Sequence, residues 1–160
     1  MRGGFLPPAI LCAALGLALA FVPFRRALIA AAVMAVVILA IFAAGVPTAW
    51  IEVIFVGCWL SVIACALLLI RPQHLPPALY FVAAANAGLW AGAVTSVAGH
   101  GWDLAIALPC VLLFVPGRWI VARGWGIGLK VLASWLTAVA ILATMVSLTP
   151  TPGYESDHME

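Results

Sequence analysis

From Ala27 to Gly45 the chain carries no charged or polar side chain at all, and five other stretches are nearly as bare. A helix of this kind belongs in hydrocarbon. Its backbone N–H and C=O groups are satisfied within the helix, and no side chain calls for water. The six apolar runs are 5–23, 27–45, 49–70, 77–98, 102–117 and 127–148. Most are close to the roughly 20 residues that cross a hydrocarbon layer about 30 Å thick. A soluble alternative fails on composition, which is 67% hydrophobic and 8% charged. Soluble domains are nearer about half apolar and about a quarter charged, and the few polar residues here do not suffice to cover a core. The expected fold is therefore all-α, a polytopic helical membrane bundle of about six transmembrane helices. Residues 1–148 form its single transmembrane domain, and the polar, proline-containing tail 149–160 is expected to be flexible.

The connections "PFRR", "GVPT", "RPQHLPP", "GHGWD" and "RWIVARGWG" are too short for a soluble domain, so any chemistry sits in the membrane or at its faces. If the chain crosses at every run, Arg25, Arg26, Arg71, Arg118, Arg123 and Lys130 fall on one side. Glu52, Asp103, Glu155, Asp157 and Glu160 fall on the other, with Arg2 as the one basic exception. Basic residues near helix ends are retained in the cytoplasm. The six cations thus read as a cytoplasmic anchor facing anionic lipid, with both termini outward, in a membrane of the bacterial inner-membrane kind. Lys130 sits near a helix start, where the macrodipole disfavours a cation by about 0.3–1 kcal/mol. Attraction to anionic lipid, about 1 kcal/mol per basic residue, outweighs that. Trp119 and Trp125 flank the anchor, while Trp50 and Trp102 mark the opposite interface. Two alternatives reverse the map. Residues 1–20, ending in "ALA", have the outline of a cleavable signal peptide, and the fifth run, broken by Pro109 and Pro116, is short enough to be re-entrant.

Two strings recur 69 residues apart. "RGGFLPPAI" at 2–10 returns as "RPQHLPPAL" at 71–79, and "VPTAWI" at 46–51 returns as "VPGRWI" at 115–120. The spacing suggests two repeats, 2–70 and 71–148, with an insertion and a deletion between 92 and 104. Three helices per unit would make the second copy insert upside down, the inverted-repeat arrangement frequent in transporters. Chance matching of alanine- and leucine-rich helices is the simpler alternative.

Ionisable groups are missing from the middle of every run, which argues against a proton relay or voltage sensor. The most polar deep residue is Asn86, which suits an interhelical hydrogen bond or the lining of a substrate path. On the same run Ala84, Gly88, Gly92 and Ser96 recur every four residues, a face for close helix packing or for a partner. Trp90 is a candidate for stacking on a ligand, and Thr137, Thr144 and Ser147 form a weak polar stripe on the last run. Asn86, Trp90, Thr137 and Thr144 together are the candidate pore or substrate path. Glu52, His100 and Asp103 are a weak metal candidate at the outer face, each with a simpler role at a helix end. His158, beside Asp157 and Glu160 in the tail, is weaker still. Cys12, Cys58, Cys65 and Cys110 all lie in apolar runs without metal-ligand spacing. Neither a zinc motif nor a nucleophile elbow is present, and "GWGIG" at 124–128 has no strand before it to make a phosphate loop.

The expectation is a small membrane protein that is not an enzyme and carries no cofactor and no resident metal. Its partners would be the lipid bilayer, anionic lipid, and other membrane subunits or further copies of itself, with no nucleic acid. A non-catalytic subunit of a larger membrane assembly is the leading reading. A small-solute or ion transporter or channel built from inverted halves is the alternative.

Overall fold

The computed structural model describes residues 6–70 and 75–148, and every regular element among them is helical. These are α1 (Leu6–Leu19), α2 (Phe24–Ala44), α3 (Ile51–Ile70, entered through the 3₁₀ turn Thr48–Trp50), α4 (Pro77–Ala98), α5 (Gly101–Ala107), α6 (Phe114–Ala122) and α7 (Gly126–Leu148). A 3₁₀ stretch, Leu108–Leu113, joins α5 to α6 in one helical segment, so the described residues form six helical segments. Five are long and apolar enough to cross a membrane: Phe24–Ala44, Thr48–Ile70, Pro77–Ala98, Gly101–Ala122 and Gly126–Val146, each of 21 to 23 residues. At about 1.5 Å per residue these reach about 32–35 Å, enough for the roughly 30 Å of hydrocarbon. The protein is an integral, polytopic membrane protein.

Two expected spans come out differently. Among the described residues the first run supplies a helix of 14 residues, about 21 Å long, which is shorter than the five. After Leu19 the chain tightens into i→i−3 bonds, Ala20 to Leu17, Phe21 to Ala18 and Val22 to Leu19. Pro23, which has no N–H to continue the ladder, then begins the approach to α2. The fifth run is longer than expected, 101–122 rather than 102–117. Pro109 lies in the first turn of the 3₁₀ stretch and Pro116 in the first turn of α6, where a missing N–H costs little.

The short helix is the interior one. Leu11, Cys12, Ala14, Leu15 and Leu19 are completely buried, and α1 touches every other helix. It runs parallel to the fifth segment, with Gly16 against Cys110 and Val111 and Gly117 against Ala20. The second parallel pair is α2 on α4. There Gly88 abuts Met34 and Val37, and Gly92 abuts Ile38 and Ile41. Antiparallel to α4, α3 packs on α1, α4 and α7. In turn α7 presents Leu129, Ala133, Leu136, Ala140 and Thr144, a buried stripe at helical spacing, and packs chiefly on α3. Its remaining faces, with Ile127, Val131, Trp135 and Leu142, are exposed hydrocarbon, as a lipid-facing helix requires.

This threading brings the start of α2 beside the junction of α6 and α7. The Phe24 and Phe114 rings are 5.8 Å apart, and Gly126 lies against Phe21. Arg25, Arg26, Arg118, Arg123 and Lys130 therefore share one end of the bundle. Glu52, at the start of α3, and Asp103, in the first turn of α5, lie at the other. Exposed tryptophans mark both, Trp119 and Trp125 at the basic end and Trp50 and Trp102 at the acidic end. Arg2, Arg71, the tail with Glu155, Asp157, His158 and Glu160, and the Ser147 side chain lie outside the described residues.

Candidate functional site

The most polar arrangement inside the spans joins α3 to α4. The Asn86 amide donates from Nδ2 to Ser61 Oγ at 2.8 Å, and its Oδ1 accepts from Trp90 Nε1 at 3.1 Å. Trp90 is one helical turn beyond Asn86, so both side chains leave α4 on the same side. Gly57, one turn before Ser61 on α3, makes the room: a Cβ there would lie 2.4 Å from the Trp90 ring. Sequence reading singled out Asn86 and Trp90 but missed Ser61 and Gly57. Their signal was the spacing of four on α3, which gains meaning only when the antiparallel register with α4 is known.

Ser61 is buried, whereas Asn86 is exposed at the surface of the bundle, ten residues into a 22-residue span. A primary amide offers two N–H donors and an oxygen with two lone pairs. One donor and one lone pair are used, and among the described residues the second N–H meets no further partner. Leu60 and Leu67 on α3 and Val82 and Leu89 on α4 are exposed on the same two helices. The result is a polar group on an otherwise apolar outer surface.

The small-residue face of α4 is accounted for within the chain. Ala84, Gly88 and Gly92 are buried, and a Cβ at Gly88 or Gly92 would come within 2.8 or 2.9 Å of the backbone oxygens of Met34 or Ile38. That face receives α2, so it is not open to a partner. Ser96 donates to Ala93 O of its own helix at 2.8 Å, and the buried Thr95 donates to Ala91 O at 2.8 Å.

Thr137 and Thr144 donate to Ala133 O at 2.9 Å and Ala140 O at 2.7 Å, both on α7 itself. No hydrogen bond links them to the Asn86 cluster, and α7 reaches the bundle chiefly through α3. The four residues expected to line one path thus fall into two separate places. At the acidic end Asp103 Oδ2 accepts from the His100 backbone N–H at 2.7 Å, satisfying a free donor at the start of α5. Among the described residues no three His, Cys, Asp or Glu side chains gather to hold a metal ion, so Glu52, His100 and Asp103 do not form a triad. All four cysteines are free, and Cys12, Cys58 and Cys65 are buried.

At the basic end Arg118 does more than face outward. It donates from one guanidinium nitrogen to the backbone oxygen of Val22, tying α6 to the turn between α1 and α2. The Arg123 guanidinium carbon lies over the Trp119 ring, 3.7 Å from its centroid, a cation–π contact. Comparison with models of known protein families, with curated proteins and with solved structures finds no match.

Proposed function

We propose that the chain is a non-catalytic subunit of a larger membrane assembly, docking through the outer surface of α3 and α4 around Asn86. The observation that carries this reading is the exposed amide with an unspent N–H, on two helices that otherwise expose residues such as Leu60, Leu67 and Val82. Hydrocarbon offers such a group nothing, whereas a neighbouring helix with a polar side chain satisfies it, at about 0.6–2 kcal/mol per bond. The docking surface is thus the α3–α4 surface, and the small-residue face of α4 serves internal packing. In this reading the basic end faces the cytoplasm, following the retention of Lys and Arg there.

The test is native mass measurement after purification in mild detergent. A complex of fixed ratio is expected from the wild type, and Asn86→Leu should shift it toward the lone chain. A single-chain mass for the wild type, unchanged in the variant, removes the docking role from this surface.

A second reading, transport by two inverted halves, is favoured by one feature of the packing. Under the 69-residue correspondence, α2 on α4 and the fifth segment on α1 are the same contact made twice. Both pairs are parallel, and both set glycine against a backbone oxygen: Gly88 on Met34 and Gly92 on Ile38 in one, Gly16 on Val111 in the other. The match is incomplete, since α3 packs on α1, α4 and α7 while its counterpart α7 packs chiefly on α3. Under this reading Asn86→Leu leaves assembly intact and abolishes solute flux in vesicles.

A further inference from the structure

Five cations, Arg25, Arg26, Arg118, Arg123 and Lys130, gather at one end of the bundle. Among the described residues the only carboxylates, Glu52 and Asp103, are at the other end. The cations therefore lack a counter-charge within the described fold. Their arrangement is more particular than a scatter of surface charge. Arg118 is part-buried and held to the α1–α2 turn by one bond to the neutral Val22 carbonyl. A guanidinium has five N–H donors, so this bond fixes the group while leaving its charge and most of its donors unmatched. Arg123 is held as well, its guanidinium over the Trp119 ring, and a contact to a ring face uses none of its N–H donors in a hydrogen bond to a charged partner. Each guanidinium presents a planar fork of donors that suits phosphate oxygens. Arg25, Arg26 and Lys130 are exposed nearby and add to the positive field.

The surroundings say what kind of phosphate. Trp119 and Trp125 are exposed at this end, where amphipathic rings settle at headgroup level. Moving inward along the spans, Leu112 and Val115 of the fifth segment and Ile127 and Val131 of α7 are exposed hydrocarbon. A lipid whose anionic phosphate is joined through glycerol to apolar chains satisfies both. We propose that the basic end is a binding site for an anionic phospholipid, its phosphate taken by open guanidinium donors of Arg118 or Arg123 within the field of Arg25, Arg26 and Lys130. This is independent of the α3–α4 docking surface, since it uses different helices and the end of the bundle.

The experiment uses the full chain, delipidated in mild detergent, with phosphatidylglycerol and phosphatidylcholine added in equal amounts, and counts retained lipid by native mass spectrometry. The wild type should retain phosphatidylglycerol preferentially. The triple variant Arg25→Gln, Arg123→Gln, Lys130→Gln keeps the Arg118–Val22 bond and so preserves the turn. At about fivefold per basic residue near the surface, it should lose roughly a hundredfold in preference. Glu52→Gln, at the opposite end, should leave the preference unchanged. Equal retention of the two lipids by the wild type, or undiminished preference in the triple variant, overturns the proposal. Inorganic phosphate at matched concentration should fail to displace the lipid, and displacement there would overturn the proposal in favour of a site for the free anion.

Discussion

Gly16→Ala tests the interior position of α1. A Cβ at Gly16 would lie 2.5 Å from the backbone oxygen of Val111 and 3.1 Å from that of Cys110, where ordinary contact begins near 3.4 Å. The obstacle is main chain, so no rotamer change relieves it. α1 and the 3₁₀ stretch must separate by about 0.9 Å, the shortfall between 2.5 and 3.4 Å. Because α1 also touches α3 and α4, its shift disturbs those contacts too. Overpacking of this kind costs about 1–3 kcal/mol. Alanine's helix propensity offsets at most about 1 kcal/mol, and the severity of the overlap puts the cost toward the upper figure. The expected net loss is therefore about 1–2 kcal/mol, read as a shift in the midpoint of unfolding by dodecyl sulfate titrated into mild-detergent micelles. Gly128→Ala is the matched control, since a Cβ there meets nothing within 4 Å. It should equal or slightly exceed the wild type. If Gly16→Ala unfolds together with Gly128→Ala, the close approach of α1 to the fifth segment is refuted.

Gly88→Ala should loosen α2 from α4 by about 1–3 kcal/mol, since its Cβ would lie 2.8 Å from Met34 O and 2.9 Å from Val37 Cβ. The same unfolding titration checks it. Gly57→Ala should push the Trp90 ring off α3 and break its 3.1 Å bond to Asn86. A near-ultraviolet dichroism spectrum resembling that of Trp90→Phe, and unlike the wild type, is the expected sign. Thr144→Val should change stability by less than about 1 kcal/mol, because the hydroxyl bonds only its own helix at Ala140. A larger loss would mean that Thr144 serves another helix.

Hydrocarbon on every side of every helix sets what could be read in advance. In water, apolar periodicity marks the buried face. In lipid that contrast disappears, and small residues are what remain to mark a close approach. This is why Ala84, Gly88 and Gly92 could be recognised as a packing face, and why 77–98 matches α4. Whether a partner or α2 filled that face was not legible, because the complementary residues Met34, Val37, Ile38 and Ile41 look like any other lipid-facing stretch. Nor did composition single out α1 as the interior helix. The fifth segment runs past its expected end because Pro109 and Pro116, breaks by sequence, each fall in a first turn. Asn86 was legible as the deep polar group. Its exposure was not, since that depends on which sides of α3 and α4 are left uncovered.

The two glycine seams also bear on what motion the fold permits. Transport by rocking needs two bodies, each packed more firmly within itself than against the other. The sequence halves do not meet that condition. α2 of the first half is pressed against α4 of the second at Gly88 and Gly92, and α1 is pressed against the fifth segment at Gly16. Bodies that kept these seams intact would be α2 with α4, and α1 with the fifth segment. α3 bridges them, bonded to α4 through Ser61 and Asn86 and packed on α1, and α1 also touches α4 directly. Motion between such bodies must strain the Ser61–Asn86 bond or the α1–α3 contact. Under the transport reading, a cross-link from α2 to α4 should therefore leave solute flux intact, and cross-links tying α3 to both α4 and α1 should arrest it. If instead neither cross-link nor motion matters and only loss of the Asn86 amide disturbs the protein's associations, the bundle acts as a static docking body, as the subunit reading requires.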